Sequence, residues 1–223
     1  MNDRPAATDV DAPDARVRVE LVWGVPGRFG QPWTPVSSSE AVPSAEAKLP
    51  SELAPVLPLP AEVENLYAAA SAEPPLSEDP LFAAWFASIY GAAVSAGQVL
   101  TAFSRHEGRL TSFAYGHFWS WAEQTNPWAT ELRHRLGESA PTIEWTYTLS
   151  LLARDPQLRQ RGIGRRTLET WLGGIVGYGC WLQTDDIDSP ARRLYDSLGF
   201  TAIGHGPVAP NGEPGLVMYR PPR

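Results

Sequence analysis

Hydrophobic and polar positions follow two different periods along the chain. Val17, Val19 and Leu21 alternate with charged residues, and this period of two is typical of a half-buried strand. Where apolar residues recur every three or four positions, the pattern predicts a helix instead. Further strands are predicted at 99–105, 109–121, 143–153, 179–184, 200–203 and 216–219, and helices at 61–72, 80–97, 126–139, 162–176 and 189–198.

The second predicted helix has a clear start signal and a broad apolar arc. The Asp-Pro pair at 79–80 supplies an N-cap and a first helical residue. Leu81, Trp85 and Ile89 form one apolar row, so we expect this helix to be well buried or to lie under a lid. Residues 81–103 carry no charge, but Ala, Ser and Gly dominate them. A soluble helix followed by a strand is therefore expected rather than a membrane span.

Composition separates an acidic, proline-rich part from a nearly neutral remainder. Residues 1–15 are small, acidic and proline-bearing and are expected to be disordered, and eight prolines interrupt an insertion at 24–60. The formal net charge of −7 is concentrated in this part, since residues 1–80 carry −8 and residues 81–223 carry +1. A bulk basic surface for nucleic acid is therefore excluded. One domain, 16–223, is expected after the tail.

Cysteine content indicates the cellular compartment. Cys180 is the only cysteine, so an internal disulfide is excluded, and we interpret it as a small buried residue in a short strand. The sequence does not begin with a basic segment and an apolar core, so no signal peptide is expected. These features predict a cytoplasmic protein.

The most informative segment runs from Leu151 to Arg166, where an apolar strand leads through a basic turn into a helix. Gly162 and Gly164 leave the backbone accessible where that helix begins. A helix N-terminus carries unpaired N–H groups and about half a positive charge, which suits a diphosphate. Because arginines flank these glycines, the segment predicts a site for a doubly phosphorylated cofactor.

Two common phosphate-binding motifs do not fit this segment, and a third does. A Walker motif would need a Gly five residues before Gly162 and a Lys-Ser/Thr after it, and Thr167 stands where G-x-G-x-x-G needs its last glycine. Residues 159–164, Arg-Gln-Arg-Gly-Ile-Gly, resemble the Arg/Gln-x-x-Gly-x-Gly/Ala motif of the GNAT superfamily, the acyl-CoA-dependent N-acyltransferases. Residues 188–200 are similar to that family's Asn-x-x-Ala-x-x-Leu-Tyr-x-x-x-Gly-Phe, with Asp188 where Asn is usual.

The resemblance implies an α/β (α+β) fold with a GNAT-like mixed, mostly antiparallel central sheet flanked by helices, here with a Pro-rich N-terminal insertion. It is specific over 143–204 and only topological before that range. Asp188 is expected to cap its helix, but it cannot give the cofactor the hydrogen bond of an Asn amide. The insertion at 24–60 and the helix at 126–139 depart from the usual pattern next to the expected acceptor site.

The resemblance also implies the reaction, which is transfer of an acetyl group from acetyl-CoA to a primary amine through a ternary complex, with no metal. Tyr195 matches the family's tyrosine and is the expected acid for the departing thiolate; packing between helix and sheet is its structural alternative. Glu144 is the expected base, with a solvent-facing carboxylate at a strand end as an equal alternative. His117 is a second candidate base, and backbone carbonyls with waters are a third route. The implied CoA-binding residues are Leu152, Ala153, Arg154, Arg159, Gln160, Arg161, Gly162, Ile163, Gly164, Arg165 and Asp188.

The sequence leaves three interpretations of the function open, two of which differ in the acceptor. A small-molecule amine is expected, with no nucleic-acid or membrane partner, and a homodimer is left open. A protein N-terminus or lysine is the second interpretation, and a non-catalytic acyl-CoA-binding module is the third. Trp119, Trp121 and Trp128 stand near the expected acceptor site, where core packing is the main alternative to stacking on the acceptor.

Overall fold

A computed structural model describes residues 19–23, 57–72, 74–97, 99–158 and 162–223. The predicted tail at 1–15 and the part of the predicted insertion at 24–56 lie outside these residues. Arg159, Gln160 and Arg161 of the predicted CoA site lie outside them as well.

Seven strands and five α-helices follow one another along the described residues. The strands are β1 (Val19–Trp23), β2 (Leu100–His106), β3 (Arg109–Trp119), β4 (Thr146–Arg154), β5 (Cys180–Thr184), β6 (Thr201–Val208) and β7 (Pro214–Arg220). The helices are α1 (Pro60–Ser71), α2 (Pro80–Ser95), α3 (Pro127–Leu136), α4 (Ile163–Gly173) and α5 (Pro190–Ser197). Two 3-10 helices, Trp121–Glu123 and Gly137–Ile143, flank α3.

The strands form one mixed sheet in the order β1-β2-β3-β4-β5-β7-β6. All neighbours are antiparallel except β4 and β5, which are parallel. Apolar side chains fill both faces of this sheet. Phe113 and Leu151 pack beneath α1 and α2, and Trp171 of α4 packs against the other face. The expected mostly antiparallel sheet flanked by helices is therefore confirmed.

Proline and a polar cap start three of the helices. Asp79, Asn126 and Ser189 each accept a hydrogen bond from a backbone N–H in the first turn, at 2.9, 2.8 and 3.1 Å, and proline follows each of them. Proline is compatible with this position because its missing N–H has no intrahelical acceptor there. The predicted cap at Asp188 is wrong: the cap is Ser189, one residue later, and its shorter side chain reaches the N–H of Arg192.

Several predicted boundaries differ from the structure. The third strand ends at Trp119, because the chain turns into a 3-10 helix that contains Trp121. The predicted start of the fourth strand at residue 143 is wrong, because another 3-10 helix runs to Ile143 and the strand begins at Thr146. The row of Leu81, Trp85 and Ile89 on α2 is exposed among the described residues, so the burial expected for it is not observed. Among those same residues no helix is long and apolar enough to cross a membrane.

Candidate active site

The central sheet opens between its two parallel strands. β4 and β5 pair only at Tyr147 with Cys180 and at Thr148 with Trp181. Beyond these positions β4 continues to Arg154 alongside β3, while β5 continues alongside β7. Along the diverging segment, one edge of β4 is therefore not paired with β5. An unpaired strand edge presents N–H and C=O groups to which an extended, amide-bearing molecule can pair.

A β-bulge lies at the start of this gap. In the β3–β4 ladder Tyr115 pairs with Leu151 and Gly116 pairs with Leu149, so Ser150 has no partner in the register. An extra residue in one strand bends that strand and increases its local twist. The bulge therefore contributes to the divergence of β4 from β5, and nothing in the sequence pattern predicted it.

Close packing holds the closed end of the gap in place. A Cβ atom added to Gly116 would lie 1.9 Å from the carbonyl oxygen of Thr148 and 2.6 Å from the ring of Trp171. The Trp171 indole N–H donates a 2.8 Å hydrogen bond to the carbonyl of Leu100, which fixes α4 against β2. The position of α4 relative to the gap therefore depends on the absence of a side chain at residue 116.

The N-terminus of α4 is open. Gly162 is the N-cap with φ of 89° and has no side-chain cap, and none of the described residues lies within 4 Å of a Cβ built on it. The N–H of Arg166 donates to the carbonyl of Gly162 at 2.9 Å, as the first hydrogen bond of the helix. The N–H groups of 163–165 precede that bond and have no intrahelical acceptor. This end of the helix can therefore bind an anion, as expected from the motif.

Asp155 anchors the chain between β4 and the α4 turn. Its carboxylate is buried and forms an ion pair with Arg109 at 2.7 Å. It also accepts a 2.8 Å hydrogen bond from the N–H of Gln157, and its own N–H donates to the carbonyl of Thr111 at 2.8 Å. These contacts set the direction in which the chain leaves β4.

Buried hydroxyl groups connect the same turn to the sheet. Thr167 in α4 donates to the carbonyl of Ile163 at 3.0 Å and shares a 2.5 Å hydrogen bond with Ser112 in β3. Ser112 in turn bonds to Ser104 in β2 at 2.8 Å. The first turn of α4 is thus held by a polar chain that crosses two strands.

The remaining predicted CoA-binding residues differ in their exposure and in their contacts. On β4 Leu152 is half-buried, Ala153 is buried and Arg154 is exposed. The guanidinium of Arg165 donates to the hydroxyl of Ser197 at 2.5 Å, so this side chain connects α4 to α5. The side chain of Asp188 is 82% exposed and forms an ion pair with Arg193.

Tyr195 lies in α5 and belongs to the apolar cluster that contains Cys180. It is buried, and its ring packs edge-on against Phe200 with centroids 5.8 Å apart. Burial, and then the nearby Cys180, raise the pKa of the Tyr195 hydroxyl above its ordinary value. The phenol is therefore protonated at neutral pH, but the raised pKa makes it a weaker acid than an exposed tyrosine. Burial also raises the pKa of the Cys180 thiol, so it stays protonated.

The two predicted bases lie in different surroundings in this structure. Glu144 is half-buried ahead of β4, and its carboxylate accepts hydrogen bonds from the N–H of Trp121 at 2.7 Å and the hydroxyl of Ser120 at 3.2 Å. These contacts hold the turn that follows β3. Burial lowers the pKa of His117 to about 4, so its imidazole is neutral and weakly basic at neutral pH.

The three tryptophans predicted near the acceptor site, Trp119, Trp121 and Trp128, differ in how deeply they are buried. Trp119 is buried, and its ring packs edge-on against Trp181 with centroids 4.7 Å apart. The Trp121 indole N–H donates to the carbonyl of Ala140 at 3.0 Å. Trp128 in α3 is 38% exposed. Core packing therefore accounts for Trp119 and Trp121.

Tyr67 interacts electrostatically with three other side chains, Glu78, Asp185 and Tyr195, of which sequence analysis identified only Tyr195. Tyr67 in α1 belongs to the apolar cluster beneath α1 and α2, and Tyr195 to the cluster on the opposite face. The two phenols nevertheless interact electrostatically, and Tyr67 also interacts with Glu78 and Asp185. Their convergence follows from tertiary structure, since they come from α1, the α1–α2 loop, the end of β5 and α5. No local sequence signal relates them.

Comparison with known proteins identifies the fold. No protein-family model and no curated protein matches this sequence. A structure from Desulfovibrio desulfuricans, assigned to the GNAT family of acetyltransferases, has a TM-score of 0.51 and 18% identity over 74% of this chain and 94% of that one. One from Corynebacterium glutamicum, described as histone acetyltransferase HPA2 and related acetyltransferase, has a TM-score of 0.50 and 17% identity over 74% and 91%. The chain thus has the fold of the GNAT acetyltransferases, the family that its two motifs resemble.

Proposed function

We propose that this protein is an acetyl-CoA-dependent N-acetyltransferase that acetylates the primary amine of a small molecule by direct attack in a ternary complex. The observation that carries this proposal is the divergence of β4 from β5 beside the open N-terminus of α4. That arrangement offers a strand edge and an anion site to one extended ligand. Acetyl-CoA, which combines an amide-bearing arm with a diphosphate, supplies the acetyl group as a thioester.

Residues of the gap and of the α4 turn would bind this co-substrate. The N–H groups of Ile163, Gly164 and Arg165 would donate to the diphosphate, and the open backbone at Gly162 leaves room for its close approach. The amides of the pantetheine arm would pair with β4 along 152–154, in the manner of an added strand. The family resemblance extends this site to 159–161 and to Asp188.

Proton transfer is the chemical obstacle. A lysine-like amine with a pKa of about 10.4 is neutral in about one molecule in 2,500 at pH 7, which costs about 4.6 kcal/mol. A carboxylate close to the acceptor lowers this barrier by accepting the proton as the amine attacks. The nitrogen forms a bond to the carbonyl carbon, and the carbon–sulfur bond breaks.

Tyr195 would protonate the departing sulfur. Its hydroxyl is protonated at neutral pH, since the ordinary pKa of a tyrosine is about 10 and burial raises it further. The phenol recovers a proton from solvent after each turnover. Backbone N–H groups near the bulge at Ser150 would stabilise the negative charge that develops on the carbonyl oxygen.

Calorimetry with acetyl-CoA and a thiol-release assay with a panel of amines together test this proposal. We expect binding of acetyl-CoA and turnover with at least one small primary amine. Binding without turnover on any small amine or peptide would instead identify an acyl-CoA-binding module, and turnover on peptides alone would identify a protein acetyltransferase. Absence of acetyl-CoA binding would refute the proposal.

A further inference from the structure

Two carboxylates that have no cationic partner among the described residues interact electrostatically with each other. Asp185 directly follows β5, and Glu78 lies in the loop between α1 and α2. The charge of Asp185 acts on Glu78, and both act on Tyr67. Within the described part of the chain neither carboxylate forms an ion pair, whereas neighbouring Asp186 pairs with both Arg192 and His205.

Asp185 is the more unusual of the two carboxylates. Asp185 is only 5% exposed. Its Oδ2 atom is buried and has no hydrogen-bond partner among the described residues. An unpaired buried carboxylate is costly to a fold unless a ligand completes its interactions. Burial raises the pKa of Asp185, which agrees with this lack of compensation. The structure thus leaves a buried hydrogen-bond acceptor of Asp185 without a donor from the described residues.

Glu78 is held by two contacts with α1. The Tyr67 hydroxyl donates to its Oε2 at 2.7 Å, and the N–H of Glu78 donates to the carbonyl of Ser71 at 3.0 Å. Both contacts come from α1, so the loop residue is fixed relative to a helix. Two carboxylates fixed in this way attract a cation with N–H donors and repel anionic molecules.

We propose that Asp185 and Glu78 bind the ammonium group of a cationic acceptor, and that Asp185 accepts the proton which the amine loses before transfer. The transfer step rests on the proposed function, whereas the cation site depends on the two carboxylates alone. The acceptor class is a small primary amine with a second positive charge close by, such as a diamine, because two carboxylates are present and no described cation neutralises either.

The proton balance of this step is simple. An N–H proton of the ammonium moves to Oδ2 of Asp185 and the neutral nitrogen attacks the thioester carbon. The tetrahedral intermediate loses its second N–H proton to solvent, and the sulfur leaves with the proton of Tyr195, which the phenol then recovers from solvent. Asp185 then releases its proton to solvent, and the acetylated product leaves as an amide with one positive charge fewer.

The test compares wild-type protein with Asp185→Asn, Glu78→Gln and a matched control, Asp186→Asn. Asp186 is the adjacent residue, but its side chain is 48% exposed and already paired. The probe is 1,3-diaminopropane, titrated calorimetrically into each protein with and without CoA. Thermal unfolding of each variant is followed in parallel, and acetyl-CoA affinity is measured separately.

We expect Asp185→Asn to weaken diamine binding at least tenfold and Glu78→Gln several-fold, with Asp186→Asn unchanged. The unfolding midpoint of Asp185→Asn should equal or exceed that of wild type, because a buried unpaired charge is removed. Undetectable diamine binding by wild type in both conditions, or equal binding by Asp185→Asn, would overturn the inference. A lower midpoint with unchanged diamine affinity would make Asp185 structural and would also overturn it. Failure to bind acetyl-CoA would refute only the proposed function, since the diamine measurement does not depend on it.

Discussion

The hydroxyl of Tyr67 lies 2.7 Å from Oε2 of Glu78 and donates a hydrogen bond to it. This contact joins the last turns of α1 to the loop before α2. Burial raises the pKa of Glu78, the Tyr67 hydrogen bond lowers it, and the charge of Asp185 raises it again. Tyr67 therefore positions one of the two carboxylates on which acceptor binding is proposed to depend.

Replacing Tyr67 with Phe should weaken acceptor binding without altering the core. The ring that packs against Phe86, with centroids 4.9 Å apart, is retained, and only the donor to Glu78 is lost. We expect a several-fold rise in KM for the amine and a stability loss of about 1 kcal/mol. Tyr90→Phe is the matched control, since it also removes a buried hydroxyl, one that donates to Pro58 at 2.9 Å. Equal kinetic effects of the two changes would contradict a positioning role.

Tyr195→Phe should reduce turnover while leaving acetyl-CoA binding near normal. Phe preserves the packing against Phe200, and only the proton donor is removed. We expect kcat to fall more than tenfold, since a positioned acid typically contributes a factor of about 100 or more. Steady-state kinetics together with calorimetry separate the two effects. Unchanged kcat would leave Tyr195 as a packing residue.

Gly162→Ala should weaken acetyl-CoA binding at least tenfold. The φ of 89° at this residue is unfavourable for a side chain by about 1–2 kcal/mol, and the new Cβ would occupy the open space in which the diphosphate is proposed to lie. Gly212→Ala is the control, because its φ is 85° and its surroundings are equally open, but it lies in the turn between β6 and β7. Calorimetry should show reduced affinity only for the Gly162 variant. The same loss in both variants would indicate a general effect of destabilisation.

Local sequence signals predicted the α4 turn and the helix starts because the physical causes of both are local. Gly162 supplies a positive φ, and Asp79 and Asn126 supply caps, wherever the rest of the chain lies. The boundaries of the third and fourth strands were less predictable. Trp121 continues the apolar alternation of β3. Its indole N–H, however, donates to the carbonyl of Ala140 in the 3-10 helix before β4, and the chain leaves the sheet at this point.

Features of the gap depend on pairing between distant segments and were not predictable. The bulge at Ser150 exists only relative to the register of β3, so an isolated strand sequence cannot reveal it. Glu78 and Asp185 lie far apart in the sequence and belong to no common motif. The sequence predicts Glu144 as the base because it is an acid close to the fourth strand, yet the polar groups that bind it belong to the turn after β3.

Glu144→Gln distinguishes a structural carboxylate from a catalytic base. The charge-assisted hydrogen bond from the N–H of Trp121 would weaken, and we expect a stability loss of about 1–2 kcal/mol. Turnover per folded molecule should stay near the wild-type value at pH 7. Urea unfolding and initial rates measure the two quantities. A fall in kcat of tenfold or more with unchanged stability would restore Glu144 as the base.

His117 should make the protein less stable as the pH falls below neutrality. Burial lowers the pKa of the folded imidazole to about 4, whereas in the unfolded chain it is about 6.5. Below about 6.5 the unfolded state therefore binds a proton that the folded state does not, and stability is lost until the pH reaches about 4. The difference corresponds to about 3 kcal/mol in total. The measurement compares the unfolding free energies of wild type and His117→Gln between pH 7 and 4, about the range of these two pKa values. The difference between the two proteins isolates the contribution of His117, because the buried carboxylates affect both proteins alike. Parallel curves for the two proteins would show that His117 is not held neutral by the fold.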